Sequence, residues 1–120
     1  MTPSQPSTRL EVRDSYGDRH SLPGPFASLE EMVTANRAAC QHWFDPDAIR
    51  FFSCRLSRRI ICGRLFISSE RFTTPFTDES PPRRYTIRLA TDNGEVRTVG
   101  EFQQYRSLAQ AQDAALGIVR

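Results

Sequence analysis

Residues 8–13 alternate polar and apolar side chains, which places Leu10 and Val12 on one face of a short strand. The run 14–18, Asp-Ser-Tyr-Gly-Asp, reads as a turn, and 19–22 as a returning strand. Pro23, Gly24 and Pro25 end that hairpin-like unit. The period then changes. Ser28 and Glu31 form a capping box, and Leu29, Met32, Val33, Asn36, Cys40 and Trp43 follow as one helical stripe, polar at Asn36. The stretch 44–47 closes this helix, because a residue before proline is disfavoured from the helical region. Asp45 as cap and Pro46 as first residue start one further helical turn.

From Ile49 the pattern predicts strands. Runs 49–56 and 63–69 are apolar, rich in Phe and Ile, and joined around Ser57, Arg58 and Arg59. Residues 71–82 read as a loop. Tyr85, Ile87 and Leu89 then alternate with Arg84, Thr86 and Arg88 ahead of Asn93-Gly94, the favoured pair for a two-residue hairpin turn. That turn sets Leu89 opposite Thr98, Ile87 opposite Gly100 and Tyr85 opposite Phe102. The core face is then Tyr85, Ile87, Leu89, Val96 and Phe102; the other carries Arg84, Thr86, Arg88, Arg97, Val99 and Glu101. A second capping box, Ser107 with Gln110, opens a last helix with Leu108, Ala111, Ala115, Leu116 and Val119 as its apolar stripe. The expected architecture is α+β: an antiparallel sheet of about four strands with two helices packed on one face, plus a short N-terminal β-hairpin-like unit. The second sheet face stays partly wet.

Composition narrows the setting. A chain of 120 residues with 38% hydrophobic content accommodates one core, so residues 8–120 form a single domain after a flexible Pro/Ser/Thr arm at 1–7. The most apolar stretch, 60–67, is broken by Gly63 and Arg64, which argues against a membrane partner. Cys40, Cys54 and Cys62 are odd in number and sit in apolar company, so buried free thiols and a cytoplasmic location are expected. The net charge is only +2, yet all 16 cationic side chains are arginine. A GC-rich coding sequence is the plainest source of that bias. Each one is still a permanently charged planar fork suited to carboxylate, phosphate or aromatic partners.

Catalytic chemistry finds little support in the pattern. Cys40 and His42 stand at i and i+2, which point in opposing directions on a helix. A metal set drawn from Cys40, His42, Cys54 and Cys62 matches no familiar zinc spacing, and no cofactor is called for. Glu30, Glu31, Asp45 and Asp47 are accounted for by helix starts, and no glycine-rich phosphate loop is present. Binding is better supplied. Arg55, Arg58, Arg59 and Arg64 cluster about the first strand pair, and Arg83, Arg84, Arg88 and Arg97 about the second. Among aromatics near element ends or in loops, Trp43, Phe44, Phe76 and Tyr105 are candidates for exposure.

The segments 35–39, 42–44, 50–53, 63–70, 84–88 and 98–103 resemble those of small uncharacterised proteins of bacterial phages and integrative or conjugative elements. The likeness spans about residues 28–116, and Cys40 stands where that group leads one to expect glycine. The resemblance implies a mobile-element setting and carries over no site residue. In that setting small single-domain proteins often occlude a host machine, as anti-CRISPR proteins do. The expected function is a non-enzymatic protein-binding module, an anti-defence inhibitor of a host protein or ribonucleoprotein complex. Arg58, Arg59, Arg84, Arg88, Arg97 and Tyr105 are its expected contacts. A small DNA- or RNA-binding accessory protein is the alternative, weakened by the near balance of charge. Oligomeric state is left open by these features.

Overall fold

The computed structural model describes residues 10–51, 53–71 and 82–119, so the expected arm at 1–7 and Phe76 lie outside the described residues. Strands β1 (Leu10–Arg13) and β2 (Arg19–Leu22) pair antiparallel, with Leu10 opposite Leu22 and Val12 opposite His20. Helices α1 (Leu29–Ala38) and α2 (Pro46–Phe51) follow. Next come β3 (Arg55–Leu56), β4 (Leu65–Glu70), β5 (Arg84–Ala90) and β6 (Val96–Val99), a four-stranded antiparallel sheet in that order. Helix α3 (Leu108–Ile118) closes the chain. This is the expected α+β class.

Both cap serines act as expected, while each reciprocal bond reaches the amide one residue before the cap. Ser28 Oγ accepts from the Glu31 amide at 3.3 Å while Glu31 reaches back to the Ala27 amide at 2.8 Å. Ser107 and Gln110 repeat the arrangement at 3.1 Å, with Gln110 turned back to the Arg106 amide. Helix α1 ends sooner than its stripe predicts. Cys40 takes a left-handed conformation, φ 59°, and donates to the Arg37 carbonyl while Gln41 donates to that of Asn36. This is a Schellman stop with cysteine in the seat that glycine favours, and Trp43 therefore leaves the helix.

Residues 49–56 were expected as strand, but α2 occupies Pro46–Phe51 and only Arg55–Leu56 is extended. The Asp45-Pro46 start signal propagates, Ile49 donating to the Asp45 carbonyl at 3.0 Å. The expectation of buried thiols also fails: the cysteines are free, but Cys40 and Cys62 are exposed and Cys54 is half-buried. Cys40 and Cys62 (φ 49°) both occupy tight turns at the surface, which overrides their apolar character.

The β5–β6 connection has three loop residues rather than two. Thr91 donates to the Glu95 carbonyl and Gly94, at φ 80°, to that of Thr91. Leu89 thereby faces Arg97 and Ile87 faces Val99, one residue away from the expected register. A one-residue slip exchanges the faces of a strand. Val99 is buried in the core, and Arg97 leaves the face that carries Arg84 and Arg88. Packing selects the longer loop. The Asn36 amide donates to the Gly94 carbonyl at 2.7 Å, and a Cβ at Gly94 would lie 2.5 Å from the backbone of Ala35 and Asn36.

The helices divide between the sheet faces instead of sharing one. Ala111 and Ala115 of α3 close on Ile67, Ile87, Leu89 and Val99, and Val12 and Leu22 of the hairpin join that cluster. Met32 of α1 packs with Phe26, Phe44, Phe66 and Ala90 on the other side. The sheet centre is apolar on both faces at Phe66 and Ile67, so each face needs cover.

Candidate functional site

Beyond Phe66, the face shared with α1 turns polar. Ser68, Glu70 and Thr86 lie on it, all buried, with Arg88 opposite Phe66. Arg88 donates from Nε to Ser68 Oγ at 2.9 Å, from Nη1 to Thr98 Oγ1, and from Nη2 to Glu70 Oε1 at 3.1 Å. Ser68 also donates to Glu70 Oε1, and Thr86 to Oε2 at 3.3 Å. The Arg88 and Glu70 side chains are 12% and 4% exposed. All three guanidinium nitrogens and both carboxylate oxygens have partners, so the buried charges neutralise one another in place.

Two aromatic side chains reach over this pair. Trp43 is set by the turn after α1, where Asp45 donates to the His42 carbonyl, and it meets Phe44 and Phe66 edge-on at 4.9 and 5.9 Å. Phe102 arrives from beyond β6. Gln103 adopts φ 59° and donates its amide to Thr86 Oγ1 at 2.7 Å and its side chain to the Glu70 carbonyl at 3.3 Å. The Arg88 guanidinium carbon lies 5.4 Å from the Trp43 ring centre and 5.2 Å from that of Phe102, within cation–π range.

With Ala48 and Ile49 of α2 and Cys54, these groups enclose a partly open cavity of about 450 Å³, mostly apolar in its walls with the Arg88–Glu70 pair at its floor. Its volume and character match sites that take a small molecule or an anchoring side chain. Burial pushes the Cys54 thiol up to about 11, with the Glu70 charge adding to it, so this thiol is a poor nucleophile at neutral pH.

The expected contact residues are dispersed. Arg88 forms the pocket floor, and Arg84, opposite Glu70, is on the same face. Arg97 lies across the sheet, bonded to Glu95 Oε2 at 2.8 Å and Asp18 Oδ2 at 3.2 Å, 3.7 Å from Asp14 Oδ2, and over the Tyr16 ring. The Glu95 bond, with Asp14 and Asp18, raises its pKa beyond the ordinary arginine value against the opposing effect of burial. Arg97 therefore holds the hairpin to the sheet. Tyr105 pairs its backbone with Tyr85 and packs on the α3-side core. Arg58 and Arg59 are exposed between β3 and β4. Sequence reasoning missed Phe102, which was assigned to the core yet is 47% exposed, and Glu70. The signal for Glu70 was present: it shares strand parity with Phe66 and Ser68 in an otherwise apolar run. Among the described residues, no group of three or more His, Cys, Asp or Glu could hold a metal ion, and no helix is long and apolar enough to cross a membrane.

Fold and site together define a small α+β protein with an aromatic-walled pocket over a neutralised ion pair. The chain belongs to a family of unknown function (DUF7447), matched over residues 28–116. That span starts at the α1 cap and contains every pocket residue named above; the β1–β2 hairpin precedes it. No curated protein and no solved structure matches the chain.

Proposed function

We propose that this chain is a non-enzymatic protein-binding module of a mobile genetic element, an anti-defence inhibitor that grips a host protein or ribonucleoprotein complex through the Trp43–Phe102 pocket. The observation that carries this reading is the pocket itself: apolar walls open to solvent above a floor whose charges are already satisfied. Such a site rewards insertion of an apolar group and asks for no proton transfer. Its thiol is held protonated, which supports binding over covalent chemistry. The resemblance to small phage and integrative-element proteins supports the setting.

The test is affinity capture from a host extract with the native chain and with Phe102→Ser, a change at a half-exposed ring. The native chain should retain a stoichiometric protein or ribonucleoprotein that the variant loses while its circular dichroism stays the same. Equal capture by both would remove the pocket from the reading. The exposed Arg58 and Arg59 favour the second reading, direct nucleic-acid binding. Retardation of nucleic acid by the purified protein with a steep salt dependence would put that reading first.

A further inference from the structure

Next to the aromatic pocket lies a shallower cavity of about 650 Å³, and the two share Ile49 and Cys54 in their linings. Arg50, Arg55 and Arg83 line the second cavity, and among the described residues no carboxylate does. Arg83 is held in place, its Nη1 donating to the Ser53 carbonyl at 2.7 Å and the Ser69 carbonyl at 3.1 Å. Arg50 has Asp47 at 3.9 Å, but both side chains are almost wholly in water, where such a pair is weak. Among the described residues, the charges lining the aromatic pocket balance, and those lining its neighbour are arginines.

We propose that the partner segment is an acidic peptide: one apolar or aromatic side chain anchors between Trp43 and Phe102, and flanking carboxylates pair with Arg50, Arg55 and Arg83. This rests on the protein-binding reading above. Charge complementarity fixes the sign of the flanks, since guanidinium forks match carboxylates and no described residue of that lining opposes them. The floor favours a peptide over a nucleic acid, because each Arg88 nitrogen and each Glu70 carboxylate oxygen already holds a partner. A base seated in the pocket would bury its hydrogen-bonding edge against Arg88 and Glu70, whose nitrogens and oxygens already bond to each other and to Ser68, Thr86 and Thr98. An apolar side chain carries no such edge. An extended segment advances about 3.3 Å per residue, so residues one and two places from the anchor reach the adjoining cavity.

The experiment pans a displayed library of random short peptides against the intact chain, then titrates synthetic copies of the selected peptides while following Trp43, the single tryptophan. Selected sequences should carry an aromatic or branched aliphatic residue with Asp or Glu nearby. Binding should shift Trp43 emission and weaken about tenfold in the double variant Arg50→Glu, Arg55→Glu, both surface positions. Peptides without acidic residues, or affinity unchanged by the charge reversal, overturn the inference; the pocket reading then stands if Phe102→Ser still abolishes binding. Failure to select any peptide, or binding indifferent to Phe102→Ser, overturns both. Displacement of the peptides by a thymidylate oligomer that binds tighter reassigns the surface to nucleic acid and overturns the peptide.

Discussion

Arg88 and Arg97 stand on neighbouring strands, each in an ion-paired network, and they serve opposite purposes. Arg88 is enclosed with Glu70 beneath two aromatic rings, in a network drawn from β4, β5 and β6. Arg97, on the other face, ties the β1–β2 turn to β6 through Asp14, Asp18 and Glu95, with Tyr16 lying over it. One arginine shapes a receptor surface and the other fastens a hairpin. The difference follows from one residue of register, because strand neighbours on opposite parity look toward different surroundings. A count of arginines therefore carries no information about a binding face until the hairpin loop is known.

The sharpest way to break the comparison is to remove Arg88. Arg88→Ala removes the ion-pair partner of the enclosed Glu70, and should cost about 3–5 kcal/mol in urea unfolding. Replacing both partners, Arg88→Met with Glu70→Leu, should recover most of that loss, which separates the penalty of an orphaned partner from the worth of the pair. Gly94→Ala attacks the register itself. It combines φ 80° with a clash against α1 backbone, and should cost about 2–3 kcal/mol.

Arg97→Ala should be milder, about 1–2 kcal/mol, because its side chain is 23% exposed and Asp14 keeps His20 at 2.7 Å. The same cluster predicts an acid dependence. Burial raises the Asp14 carboxyl, and bonds from His20, Asp18 and Tyr16 lower it by more, so its net value lies below the ordinary 3.8. A depressed carboxylate stabilises above its unfolded value, and that contribution disappears as pH falls through the folded one. Unfolding free energy should therefore drop between about pH 5 and pH 2 in the native chain, and less steeply in Asp14→Asn. The smallest effect belongs to Cys40→Gly, which relieves a left-handed cysteine and should raise stability by about 0.5–1 kcal/mol.

Local chemistry alone determined much of this protein. Ser28 with Glu31 and Ser107 with Gln110 mark both long helices, the alternation around Ile87 marks β5, and Asp45-Pro46 marks the start of α2. Each depends on neighbours within a few residues, which is why each is readable. The end of α1 and the extent of α2 were less so, because short apolar runs suit a helix or a strand equally. The pocket was decided only in three dimensions. Trp43 with Ile49, Glu70, Arg88 and Phe102 come from four separate stretches of the chain, and no local period links them. Asn93-Gly94 by itself favours a two-residue loop, yet it also fits a three-residue one with glycine in the left-handed position. The Asn36 bond to Gly94 and the close approach of α1 select the longer one, and with it the face on which every residue of β6 lies.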